Sequence, residues 1–299
     1  MSTESRTEVR SPQEGMSGVG ALVLATILNV LGLAALRWRG VSSESALACL
    51  SVAYLVSGIL SAGWARRDRA PRASILHALA WALALTLIYV QFLVVEERAS
   101  LAQLIILQAL APLLSGFFSR EVRGFSKDEL MYQGGAFVIL LFLARIESAA
   151  GSGSPGAGWT GLALLLAAYV ASQSVLRSVV RAGQSRSKLL AEGCLIASAL
   201  LGGLALFRGV RFDSLRGDAL FGGAFGLVLL IIQLLYVEGI RRARGVLGNL
   251  ALSGAVPISL LVNSLITQRT NGLGALLSLA YCGLLVASTS LRQRRARPV

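Results

Sequence analysis

Two prolines sit in the middle of apolar runs, Pro112 in LQALAPLLSGFF (residues 107–118) and Pro257 in LSGAVPISLLVN (residues 252–263). A proline inside a helix has no N–H to give to the carbonyl four residues earlier. Here the bare carbonyls belong to Gln108 and Ser253, each of which also carries a polar side chain. In apolar surroundings such a carbonyl needs a partner, and a solute or a water in a cavity can supply it. At about 100° per residue, Gly245, Asn249, Ser253, Pro257, Asn263, Ser264 and Thr267 share an arc of roughly 120°. Small and polar residues on one face serve either a polar cavity or helix packing. Gln103 and Ser115 accompany Gln108 on the first run, less cleanly aligned.

Other polar residues inside apolar stretches are Asn29, Tyr89, Gln91, Gln173, Gln233 and Tyr236. Amides and phenols donate and accept, which suits uncharged or zwitterionic solutes, and each also fits a plain interhelical hydrogen bond. Two ionisable residues are candidates for proton coupling. Glu192 stands four residues after Lys188, the spacing of a helical ion pair. His77, the single histidine, lies near Arg72. Enzyme signatures are missing: there is no GxxxxGK[ST] phosphate loop, and one histidine excludes an HExxH zinc site. Cys49, Cys194 and Cys282 fall in apolar stretches and read as packing residues. No catalytic residue, metal or cofactor is expected.

The elements that hold these groups are set by composition. Of 299 residues, 55% are hydrophobic and 14% charged, which points to a membrane protein. Stretches free of Asp, Glu, Lys and Arg cover 15–36, 45–65, 73–95, 99–119, 130–144, 148–176, 193–207, 219–237, 245–268 and 270–291. A helix needs roughly 20 apolar residues to cross the hydrocarbon core. Eight stretches are long enough alone. Arg145 can snorkel to extend the fifth, and a start near Leu189 with Glu192 in the first turns extends the seventh. Ten transmembrane helices are predicted. The first 17 residues mix Glu and Arg and lead into a full span, so no cleavable signal peptide is expected.

The net charge of +13 is spread over loops, which argues for topology and against nucleic acid as a partner. With the N-terminus inside, inner segments hold 20 of the 28 Lys and Arg residues and outer loops hold 8. The positive-inside rule then puts both termini in the cytoplasm.

SAAGSGSPGAG reads as a linker that splits the chain into five spans and five spans. Laying Pro112 on Pro257 sets Glu96 and Glu97 opposite Arg241 and Arg242. An odd number of spans per half inverts the second copy, so the charge of the same loop should invert as well. This is the pattern of inverted-topology repeats in secondary transporters.

With APLLSGFFSREVRGFSKDELMYQGGAFVILLFLA and VPISLLVNSLITQRTNGLGALLSLAYCGLLVAS as its matching pieces, the chain resembles the drug/metabolite transporter superfamily, specifically its EamA-like members. Glu121 stands near the glutamate that such halves place after the fourth span; in the second half Gln268 and Arg269 stand there. The resemblance implies an all-α polytopic membrane protein of two inverted five-helix repeats. The expected layout is a cytoplasmic tail (1–17), a first repeat (18–147), a Gly/Ser linker (148–157), a second repeat (158–290) and a basic cytoplasmic tail (291–299). It also implies carriage of a small organic solute across the cytoplasmic membrane by alternating access. The expected solute-binding residues are Gln108, Pro112, Asn249, Ser253 and Pro257, backed by Gln173 and Gln233. The bilayer and a small-molecule solute are the expected partners, with a homodimer left open. The rival expectation is a membrane-embedded enzyme or accessory protein for lipid-linked substrates, with Arg208, Arg211 and Arg216 holding phosphate.

Overall fold

The computed structural model describes residues 12–38, 43–96, 126–149, 159–210, 216–242 and 272–295, together with 106, 109–111, 114, 256–258, 260–261 and 264. Eight long helices carry the described fold: α1 (Pro12–Trp38), α2 (Ser43–Ala65), α3 (Ile75–Glu96), α4 (Lys127–Ala149), α5 (Trp159–Arg181), α6 (Arg186–Phe207), α7 (Arg216–Arg242) and α8 (Gly272–Arg295). No strand occurs among the described residues. Within the fourth and ninth predicted spans, Ile106, Ala109, Leu110, Ala111, Leu114, Val256, Pro257, Ile258, Leu260, Leu261 and Ser264 are helical.

Helix ends follow local chemistry. Ser126 and Glu129 form a reciprocal cap on α4: Ser126 N–H donates to Glu129 Oε2 at 3.0 Å, and Glu129 N–H donates to Ser126 Oγ at 3.2 Å. At the end of α5, Gly183 adopts φ +63, and Gln184 N–H and Gly183 N–H return to the carbonyls of Val179 and Val180. This satisfies two carbonyls that a helix end would otherwise leave bare, in a conformation that only glycine adopts without strain.

Five helices contain a segment long and apolar enough to cross a membrane: Ser45–Ala65, Lys127–Ile146, Ala163–Val180, Arg186–Phe207 and Ala219–Gly239. Their outward faces stay apolar. Leu24, Ile59, Leu83, Phe142, Leu227 and Leu279 are all exposed, on six different helices. So broad an apolar surface is unstable in water and suits lipid, so the chain is embedded in a membrane.

Packing joins α2 to α6 and α7, α1 to α7, α3 to α5 and α6, and α4 to α8. Close approach decides the α2–α7 contact. A Cβ on Gly222 would stand 2.7 Å from the Cys49 carbonyl oxygen, and one on Gly226 would stand 2.6 Å from that of Ala53. Two glycines four apart let the backbones touch, as in other membrane helix pairs. Ser57 Oγ adds a 2.7 Å hydrogen bond to the Gly226 carbonyl. Between α2 and α6 the bonds are reciprocal: Ser51 Oγ donates to the Ser198 carbonyl at 2.9 Å, and Ser198 Oγ donates to that of Ser51 at 2.8 Å. Ile106 and Leu110 are fully buried in the same core as Tyr54, Leu140 and Leu165.

Candidate functional site

A cavity of about 130 Å3 lies between α1, α2, α3, α5, α6 and α7. Most lining residues fall near the midpoints of their helices: Thr26 and Asn29 on α1, Tyr54 on α2, Tyr89 on α3, Tyr169 and Gln173 on α5, and Gln233 on α7. The site is therefore at mid-depth. Its wall mixes aliphatic and aromatic side chains, with Trp81 and Tyr236 joining the three tyrosines already named. Tyr54 and Tyr89 meet edge to face, with ring centroids 5.6 Å apart at 73°. Among its described lining residues there is no Asp, Glu, Lys, Arg or His.

Polar groups in the wall differ in their occupation. Ser172 Oγ donates to the Tyr169 carbonyl at 2.9 Å, and the Cys194 thiol donates to Gln233 Oε1 at 3.4 Å. Gln173 is 6% exposed, and its carboxamide oxygen is buried with no hydrogen-bond partner. An unmet buried acceptor is costly, and such groups in native structures mark places where a ligand or a water completes the set.

One end of the bundle is closed by a clasp between the α2–α3 loop and the α5–α6 loop. Ser185 N–H donates to the Pro71 carbonyl at 2.7 Å. Asp68 Oδ2 accepts from Ser185 Oγ at 2.6 Å and from Ser187 Oγ at 2.5 Å, while Asp68 Oδ1 accepts from the Ala70 N–H at 2.9 Å. Ser185 is also the N-cap of α6, bonded by Lys188 N–H at 3.2 Å. Lys188 Nζ reaches the Ala70 carbonyl at 3.1 Å. The hydrogen bond from Ser185, then those from Ser187 and the Ala70 N–H, hold the Asp68 carboxyl at about 2, down from 3.8. Lys188 assists weakly, and partial burial opposes the shift.

No family model and no curated protein match the chain. A solved structure described only as a crystal structure of a protein superimposes on it with a TM-score of 0.64. The match spans 97% of this chain and 100% of that one at 18% identity. Likeness at that identity carries the fold alone.

The structure brings several predicted residues together. Gln173, Gln233, Asn29, Tyr89 and Tyr236 share the cavity wall. Gln108, Pro112, Asn249 and Ser253 lie outside the described residues, as do Arg211 and the side chain of Gln91. Pro257 is helical and half-buried and is not among the described lining residues. Glu192 departs from its predicted pairing with Lys188: its Oε1 takes a 2.6 Å hydrogen bond from Arg72 Nε. The α2–α3 loop folds over the start of α6 and offers a guanidinium to Glu192 while the Ala70 carbonyl draws Lys188 away. His77 sits beside the clasp, with Nδ1 2.6 Å from Ser74 Oγ and Nε2 3.5 Å from Ser178 Oγ.

Tyr54, Trp81, Tyr169 and Asp68 were not singled out from the sequence. A signal exists for the tyrosines. Membrane proteins favour Tyr and Trp at the interfaces, yet Tyr54, Tyr89 and Tyr169 fall near helix centres. For Asp68 the signal is an acid inside the basic loop RRDRAPR.

Proposed function

We propose that the protein is a secondary transporter of the drug/metabolite type that moves a small organic solute through the central cavity by alternating access. The observation that carries this reading is a mid-depth cavity shared by α1–α3 and α5–α7, with the Gln173 carboxamide oxygen buried and unpartnered. A site between two repeats at the bilayer midplane is where such carriers hold their solute.

Helix pairing supports two inverted repeats. Exchanging α1 with α5, α2 with α6, α3 with α7 and α4 with α8 maps the main pairings onto themselves: α1–α7 becomes α5–α3, α2–α7 becomes α6–α3, and α2–α6 and α4–α8 are unchanged. The reciprocal Ser51–Ser198 bonds are what a local two-fold between α2 and α6 produces.

Parity supports a further crossing in the charge-free stretch 99–119. Arg242 Nη1 donates to Ser17 Oγ at 3.3 Å, yet α1 to α7 lie between the start of one helix and the end of the other. Seven crossings would leave the two on opposite faces, and an eighth reunites them. The bond from Ser185 to Pro71 spans α3, α4 and α5 and asks for the same extra crossing. With a counterpart crossing in 245–268 the reading has ten helices, and the charge rule then favours cytoplasmic termini.

In this reading the clasp is the cytoplasmic gate, because it ties a loop of the first repeat to a loop of the second at the basic face. A solute-independent test is available. Gln233→Cys is placed in a chain whose Cys49, Cys194 and Cys282 are replaced by alanine, and a membrane-impermeant maleimide is added from each face in turn. Labelling from both faces, each arm slowed by a crosslink that locks the loops on the reagent's own side closed, is expected. Labelling from one face alone, or from neither, would refute alternating access.

A further inference from the structure

We infer that the cavity selects a small uncharged aromatic solute carrying one hydrogen-bonding group, and that the Gln173 carboxamide holds that group. The inference rests on the transporter reading and names its substrate class.

The aromatic lining sets the body of the solute. Tyr54, Trp81, Tyr89, Tyr169 and Tyr236 come from α2, α3, α5 and α7, so the cavity meets ring surface from four helices. Rings pack against rings in offset or edge-to-face contact, as Tyr54 and Tyr89 already do. The cavity of about 130 Å3 is close to the roughly 150 Å3 apolar cavity that accepts benzene. A single ring fits.

Charge is set by what the wall lacks. No carboxylate lines the described wall to balance an ammonium, so cation–π attraction to the rings would have to offset its desolvation alone. An anion fares no better, since aromatic faces are negative and no cation is among the described lining residues. Desolvating either ion therefore meets no counter-charge.

Hydrogen bonding sets the remaining feature. The Ser172 hydroxyl and the Cys194 thiol are spent on Tyr169 and Gln233, whereas the Gln173 carboxamide oxygen has no partner although the residue is 6% exposed. A hydroxyl or N–H on the solute meets that unmet group, and an isostere without one leaves it unmet.

The test uses the full-length protein in nanodiscs and four probes: phenol, its isostere fluorobenzene, benzoate and benzylammonium. Calorimetry is expected to show phenol binding about tenfold tighter than fluorobenzene, one hydrogen bond's worth, with neither ion binding. In Gln173→Leu the phenol-to-fluorobenzene ratio is expected to fall to about one. Equal binding of the pair by the unaltered protein, tighter binding of either ion, or no binding of any probe would overturn the inference, and these readings stand even if the variant does not fold. The Gln233→Cys labelling reads access without a solute. A two-sided cavity that ignores phenol therefore sinks this inference alone, and phenol binding in a one-sided cavity sinks the transporter reading alone.

Discussion

Replacing Asp68 with asparagine is expected to loosen the clasp without touching the cavity. The variant keeps the side-chain shape and removes the charge that gathers Ser185 Oγ, Ser187 Oγ and the Ala70 N–H. Hydrogen bonds to a charged group contribute about 1.5–3 kcal/mol each when shielded. Asp68 is only partly buried and asparagine keeps one acceptor oxygen, so water and the retained acceptor cut the total loss to about 1–2 kcal/mol. That is roughly tenfold in the ratio of closed to open clasp. Spin labels at Arg69→Cys and Ala182→Cys, both exposed and one on each loop, report the opening as a distance distribution in the cysteine-free background. The parent is expected to give one short distance at pH 7, and Asp68→Asn a second, longer population. Because folding lowers the Asp68 pKa from 3.8 to about 2, its contribution is complete above the higher value and lost as pH falls through the lower one. The parent should therefore acquire the long distance only between about pH 4 and 2. Identical distributions for parent and Asp68→Asn at pH 7 would refute the assignment of the clasp to this carboxylate.

Two further outcomes test the frame around the cavity. Gly226→Ala is expected to cost about 1–3 kcal/mol through overpacking, because its Cβ would stand 2.6 Å from the Ala53 carbonyl oxygen. Gly223→Ala meets nothing within 4 Å and serves as the control in the same thermal unfolding series. Single cysteines at Arg98→Cys and Arg123→Cys, flanking the stretch 99–119, are expected to label from opposite faces of the membrane. Labelling from one face would remove the extra crossing that the Ser17–Arg242 and Pro71–Ser185 bonds call for.

Where the apolar helices lie was legible from charge alone. The charge-free stretches 45–65, 73–95, 219–237 and 270–291 lie within or close to α2, α3, α7 and α8, because a charge in hydrocarbon is costly and ends a span. The seventh span likewise took Glu192 inside its first turns, as α6 does from Arg186. The sixth charge-free stretch opens at 148, but its small residues and Pro155 favour no helix, so 148–157 reads as a linker; α5 begins at Trp159.

What the sequence determined by itself is therefore one-dimensional: the positions of apolar segments, the basic loops, and polar residues such as Gln173 and Gln233 that lipid would not tolerate. Those properties depend on a residue and its near neighbours. Tertiary structure decided which of them meet. Lys188 is the helical neighbour of Glu192, but the α2–α3 loop brought Arg72 to 2.6 Å and took Lys188 for the Ala70 carbonyl. Tyr54, Trp81, Tyr89, Tyr169 and Tyr236 came to line one cavity only when α2, α3, α5 and α7 packed together. That packing depends on close contacts such as Gly222 on Cys49 and Gly226 on Ala53. Such partners lie on different helices, from 35 residues apart for Tyr54 and Tyr89 to 173 for Cys49 and Gly222, so helical spacing carries no information about them, and shape complementarity between whole helices selects them.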